Sequence, residues 1–120
     1  MMSPTVLVVE DAEILRSLMV EAISLLGVCV IDCASADEAL PILENSPSIA
    51  LVITDICMPG LIDGLELAKV IWERWPSLPV IIASGNRLVP EGLLPSHAMF
   101  LRKPWSLDVL HQAVRTYVMA

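Results

Sequence analysis

The stretch Thr5-Val6-Leu7-Val8-Val9-Glu10-Asp11 decides how the rest of the chain reads. Residues 5–9 are β-branched or aliphatic, with no polar alternation. A strand with one wet face would alternate with a period of two, so an unbroken run marks a strand covered on both faces, as in a parallel sheet. Two acidic residues follow where that strand should end. These seven residues therefore suggest a buried strand that delivers charge at its carboxyl end.

The same texture recurs along the chain. Glu13 to Leu26 carries apolar residues at helical spacing (Ile14, Leu15, Leu18, Met19, Ala22, Leu25 and Leu26), and Gly27 supplies the stop. Val28 to Cys33 reads as a second strand. Ser35-Ala36-Asp37-Glu38 matches a capping box, opening a helix that runs to about Asn45. Pro41 falls inside that helix, where it removes one amide donor and should bend it. Ile49 to Thr54 is a third strand ending at Asp55, and Gly64 to Trp75 a third helix. Trp72 and Trp75 sit at helical spacing and read as packing residues. Pro79 to Ala83 and Met99 to Arg102 are strands four and five, and Ser106 caps a last helix with its apolar stripe between Val109 and Val118.

Between Ser84 and His97 the texture changes. Alternation calls for a fourth helix there, but Gly85, Pro90, Gly92 and Pro95 leave room for a turn or two at most. Strand-helix units of this length predict an α/β fold: one doubly wound, five-stranded parallel sheet with helices on both faces and a short or irregular fourth helix. The 120 residues fit one domain, and the unit is expected to span 1–120.

Composition narrows the function. Hydrophobic residues make up 56% of the chain, as a sheet buried on both faces requires. The net charge of −7 opposes nucleic acid and anionic membrane surfaces, both of which need clustered Lys and Arg. No apolar run approaches the ~20 residues of a membrane span, and nothing at the start resembles a signal peptide. Cys29, Cys33 and Cys57 are odd in number and lack metal-binding spacing, which suits reduced thiols in the cytoplasm. His97 and His111 read as surface or loop residues.

What stands just past each strand is the chemical signal. Glu10 and Asp11 follow the first strand, Asp55 the third, Ser84 ends the fourth, and Lys103-Pro104 follows the fifth. In an open parallel sheet all of these fall along the carboxyl edge, where binding crevices form. Taken singly, each is an ordinary turn or surface residue. In the strand order 2-1-3-4-5 the first and third strands are neighbours, so the three carboxylates converge. They would repel one another unless a cation intervened. Hard oxygen ligands without His or Cys favour Mg²⁺. A hydroxyl and an ammonium opposite that ion complete a phosphoryl-transfer arrangement, with Asp55 as nucleophile and Ser84 and Lys103 on the phosphoryl oxygens.

Val8-Val9-Glu10-Asp11, Asp55-Ile56-Cys57-Met58-Pro59-Gly60 with Asp63-Gly64, Ala83-Ser84-Gly85 and Lys103-Pro104, in this order, resemble the receiver domain of bacterial response regulators. The resemblance covers essentially the whole chain. It implies a flavodoxin-like fold and phosphorylation of Asp55 by a phosphohistidine on a histidine kinase or a histidine phosphotransfer protein. It implies Mg²⁺ held by Glu10, Asp11, Asp55 and the backbone carbonyl of Cys57. Ser84 would be the switch hydroxyl and Phe100 the aromatic that changes rotamer, and the Lys103–Pro104 peptide is expected cis. The output would be a protein–protein event, including a possible homodimer, with no enzymatic activity beyond the domain's own phosphorylation and dephosphorylation. The Pro-rich 84–97 segment, Gly85 and Trp105 depart from the family's usual pattern and bear on the output surface. Three rivals fit less well. An Asp-nucleophile phosphatase needs a second Asp where Cys57 stands, and a flavin binder needs a hydroxyl- and Gly-rich loop where Glu10-Asp11 stands. A phosphate sink or scaffold without a switch would use the same acidic set.

Overall fold

The computed structural model describes residues 4–46, 48–55, 64–84, 98–103 and 105–118. Five strands and four helices are described, in the order β1 (Thr5–Val9), α1 (Glu13–Ser24), β2 (Cys29–Cys33), α2 (Ala36–Asn45), β3 (Ile49–Asp55), α3 (Gly64–Arg74), β4 (Val80–Ser84), β5 (Ala98–Arg102) and α4 (Leu107–Val118). All strand pairs are parallel and the sheet order is β2-β1-β3-β4-β5. This is the α/β fold and the strand order expected from the sequence. The stretch expected to hold a short or irregular fourth helix, with His97, lies outside the described residues, as do Cys57, Pro104 and the side chain of Ser84.

The unbroken apolar strands are explained by the two layers they separate. Leu7 and Val9 face one way, into a cluster with Val52, Val80, Ile82 and the inner residues of α2 and α3. Val6 and Val8 face the other way, against Leu51, Ile53, Ile81 and the inner residues of α1 and α4. Alternate residues of one strand thus serve opposite cores, so the middle of the strand is apolar on both faces, and the buried threonines, Thr5 and Thr54, stand toward strand ends. Each large aliphatic residue buried in this way contributes roughly 1.5–3 kcal/mol.

Helix boundaries follow local chemistry. The Ser35 hydroxyl accepts from the Glu38 amide at 3.2 Å, while Glu38 Oε2 accepts from the Ser35 hydroxyl at 3.1 Å and the Ala34 amide at 3.3 Å. The expected capping box is present, reaching back one residue further. Pro41 lies inside α2 on its exposed face, and the helix continues past it to Asn45, whose Nδ2 donates to the Pro41 carbonyl at 2.8 Å. Ser106 accepts from the Val109 amide at 3.2 Å and starts α4. Gly27, at φ 80°, sits in the left-handed region that ends the α1 turn.

The apolar stripe assigned to the first helix was drawn too wide. Met19 and Ile23 are its buried residues, whereas Ile14 (79% exposed), Leu18 (56%) and Leu25 (73%) face outward. Nine apolar residues in 14 exceed what one helix face can bury, and spacing alone does not say which side wins; the stripe read from the sequence also left out the buried Ile23.

Candidate functional site

Of the expected residues that the structure describes, Glu10, Asp11, Asp55 and Lys103 stand on the carboxyl edge of the sheet, while Phe100 lies in the middle of β5. Glu10 follows β1 directly, and its amide donates to the Cys33 carbonyl at 3.1 Å, extending the β1–β2 ladder by one residue. Asp55 ends β3 opposite Ala83 of β4. Lys103 follows β5 and reaches back across β4. Its Nζ donates to Glu10 Oε1 at 3.0 Å and to Asp55 Oδ2 at 3.2 Å. Asp11 completes the group, and carboxylate oxygens of Glu10, Asp11 and Asp55 lie within 4.8 Å of one another.

The three acids differ in burial. Asp11 is exposed, Asp55 is partly covered, and Glu10 is 2% exposed. Glu10 Oε2 accepts from the Ala12 amide at 3.1 Å, so both of its oxygens are engaged. Burial pushes the Glu10 carboxyl above its ordinary value; the Lys103 and Ala12 hydrogen bonds oppose this without cancelling it, and the neighbouring Asp55 charge adds to the rise. Burial alone would depress Lys103, but hydrogen bonds and charge from Glu10 and Asp55 outweigh it and hold the ammonium above its ordinary value. The two rises differ in cause, burial for Glu10 and paired carboxylates for Lys103, and with three carboxylates facing one ammonium the site is two positive charges short.

The backbone around Asp55 is fixed from the far side. Gly64 opens α3 against it, and a Cβ on Gly64 would overlap the Asp55 carbonyl oxygen and crowd the Thr54 hydroxyl. The Thr54 hydroxyl donates to that same carbonyl at 3.0 Å. Only glycine permits this approach, so the residue type at 64 sets the position of the end of β3.

This donor set fits a hard divalent cation. It consists of carboxylate oxygens alone, grouped at ion-sharing distance, with a charge deficit that Mg²⁺ would match. Phe100, on β5 opposite Ile82, is half-buried against the α2/α3 cluster.

Sequence reasoning missed one residue near this edge, Arg16, and one on the α1–α4 seam, His111. Arg16 Nη1 donates to the Glu10 carbonyl at 2.9 Å and its Nε to Asp32 Oδ2 at 3.1 Å. On a helix surface an arginine carries no signal of such a role. His111, read from sequence as a surface or loop residue, is half-buried, and its Nε2 lies 2.6 Å from the Ala22 carbonyl, joining α4 to α1. The Leu26 amide bonds Ile23 instead of Ala22, which leaves that carbonyl open to the imidazole.

With the geometry in place, comparison with known proteins is decisive. The family model described as the response regulator receiver domain matches residues 6–115. The chain belongs to this family. It is similar to the C4-dicarboxylate transport transcriptional regulatory protein DctD of Rhizobium meliloti, at 35% identity over 116 residues, covering 94% of this chain and 25% of that protein. It is also similar to a putative NtrX-like response regulator of Rickettsia felis, at 39% identity over 110 residues, covering 88% of this chain and 23% of that one. Among solved structures, a response regulator receiver protein from Sinorhizobium medicae superposes with a TM-score of 0.88 at 27% identity, covering 98% of this chain and 96% of that one. The receiver domain of the hybrid histidine kinase CckA gives 0.79 at 33% identity, covering 93% and 96%. The chain spans about a quarter of the length of the curated relatives it matches first. It is thus a receiver domain of two-component signalling with an acidic cluster at the expected edge. Among the described residues, no helix is long and apolar enough to cross a membrane.

Proposed function

We propose that this receiver domain takes a phosphoryl group onto Asp55 and uses the new charge to change its protein contacts. The observation that carries this reading is the placement of Lys103 Nζ between Glu10 and Asp55, with Asp11 within ion-sharing distance. A side chain that merely neutralised a surface acid would not be drawn across a strand into a pair of partly buried carboxylates.

The chemistry follows from the residues. A carboxylate oxygen of Asp55 attacks the phosphorus of a phosphohistidine on a histidine kinase or histidine phosphotransfer protein. The N–P bond breaks, the imidazole leaves with the bonding electron pair, and an aspartyl phosphate remains. Lys103, already bonded to Asp55, is positioned to follow the charge onto a phosphoryl oxygen. Mg²⁺, held by Glu10, Asp11, Asp55 and the Cys57 carbonyl, would supply the missing positive charge and neutralise the equatorial oxygens. The Ser84 hydroxyl would take another phosphoryl oxygen, and Phe100 would refill the space as the following segment moves. Phosphorylation adds roughly −1.5 to −2 charge at one point.

In this reading residues 1–120 form one phosphoacceptor unit acting in the cytoplasm. Its output is a contact with a kinase, a phosphotransfer protein or a second copy of the chain, and not a contact with nucleic acid or membrane. The test is incubation with acetyl phosphate and Mg²⁺, read by intact mass. One phosphoryl adduct is expected in the wild type and none in Asp55→Asn. An adduct of equal yield in the variant refutes the assignment of Asp55. A wild-type adduct that leaves hydrogen exchange in residues 85–105 unchanged would favour a phosphate sink over a switch.

A further inference from the structure

We infer that Arg16 is a positioning residue for the acidic site, fixing Glu10 through its backbone; the inference rests on the phosphoacceptor reading above. Glu10 is held at four points. Its amide bonds Cys33, its carboxylate bonds Ala12 and Lys103, and its carbonyl accepts from Arg16 Nη1. The first three bonds come from β2, from two residues further along the chain, and from the residue just past β5. The fourth comes from α1, one turn beyond the acidic pair, and adds a polar tie to the apolar packing of Met19 and Ile23 against β1.

The guanidinium is itself anchored. Its Nε bonds Asp32 Oδ2, and Asp32 precedes Cys33, the residue that receives the Glu10 amide. Arg16 thus spans two neighbouring strand ends from a single helix, using a planar fork that lysine cannot copy. The Arg16 side chain is 19% exposed, against 45% for Asp32, so the ion pair is partly screened and its electrostatic contribution to stability is small. What the fork secures is direction. With the Glu10 carbonyl and amide both fixed, the Glu10 carboxylate can leave Lys103 for a metal without the strand end following it. Supporting hydrogen bonds of this kind change metal affinity roughly 10- to 100-fold when removed.

The experiment is Mg²⁺ titration of the full chain, read as the shift in melting temperature and by isothermal calorimetry, on wild type, Arg16→Met, Arg16→Lys and Asp32→Asn. Arg16→Met should weaken Mg²⁺ about tenfold. Arg16→Lys should recover only part of this, because one ammonium replaces two aligned donors, and Asp32→Asn should change it less than about threefold. Acetyl phosphate labelling at saturating Mg²⁺ should return close to the wild-type yield in each variant, since the acceptor and Lys103 are intact. A purely structural staple would lower the metal-free melting temperature and leave Mg²⁺ affinity within twofold of wild type, and that result overturns the inference. If Arg16→Met does not fold, Arg16→Lys decides: wild-type affinity in that variant is equally fatal. Failure of the wild type to bind Mg²⁺ at all overturns the phosphoacceptor reading, a different and distinguishable outcome.

Discussion

Ile53 and Asp55 stand two residues apart on the same face of one strand, and they meet opposite conditions. Ile53 is fully buried among aliphatic side chains from both neighbouring strands and from α1 and α4. Asp55 is partly covered and faces two further carboxylates and one lysine. Within one strand the sheet passes from close-packed hydrocarbon to an unbalanced cluster of charge. The buried stretch stabilises the fold, while its carboxyl end gathers like charges at a cost in free energy. The site can remain strained because the layers behind it are not.

The largest effect expected from this contrast is in the core. Ile53→Ala should destabilise the chain by roughly 2–5 kcal/mol, measured by urea denaturation. A loss below about 1 kcal/mol would mean that the layer between β3 and α4 repacks, and the contrast would weaken. The next effect belongs to the edge. At a Mg²⁺ concentration 100-fold above its Kd, the wild type should gain about 2.7 kcal/mol. Asp11→Asn should lose most of that gain while being slightly more stable than wild type in EDTA. A variant that is less stable without metal would show that the cluster is not a repulsive one.

A smaller effect separates two thiols on β2. Cys29, at the start of the strand, is exposed, and Cys33, at its end, is buried. Burial, reinforced by the nearby Glu38 charge, pushes the Cys33 thiol up to about 11 from 9.0. The sign follows from linkage: the unfolded chain ionises first, so any contribution to stability is intact below pH 9 and is lost as pH rises toward 11. At pH 8 Cys29 should be alkylated rapidly and Cys33 only at the rate of unfolding, mapped by peptide mass. Equal labelling rates would mean that dry packing does not extend to the end of β2.

The parallel sheet and the gathering of Glu10, Asp11, Asp55 and Lys103 on one edge were legible in the sequence because each rests on a strong constraint, whereas the strand order came with the family resemblance. Strands buried on both faces cannot alternate, and residues just past parallel strands must share one edge. The outward turn of Ile14, Leu18 and Leu25 was not legible, since helical spacing fixes a stripe but not how wide the opposing surface is. Arg16 and His111 were hidden for a different reason. Both bond to backbone carbonyls of another element, and a carbonyl has no residue type to read.

The close approach of Gly64 to Asp55 also has an entropic consequence. The two residues are separated by eight others in sequence, yet the start of α3 touches the end of β3. The ends of that connection are pinned by the fold itself, so its closure entropy is already spent when the sheet and helix dock. Doubling its length would add only about 0.6 kcal/mol. For folding, insertions between residues 60 and 63, clear of the Cys57 carbonyl proposed as a metal ligand, should therefore be tolerated far better than a single methyl group on Gly64. Added length there matters little for folding, while the backbone of Asp55 is held fast by Gly64 and Thr54.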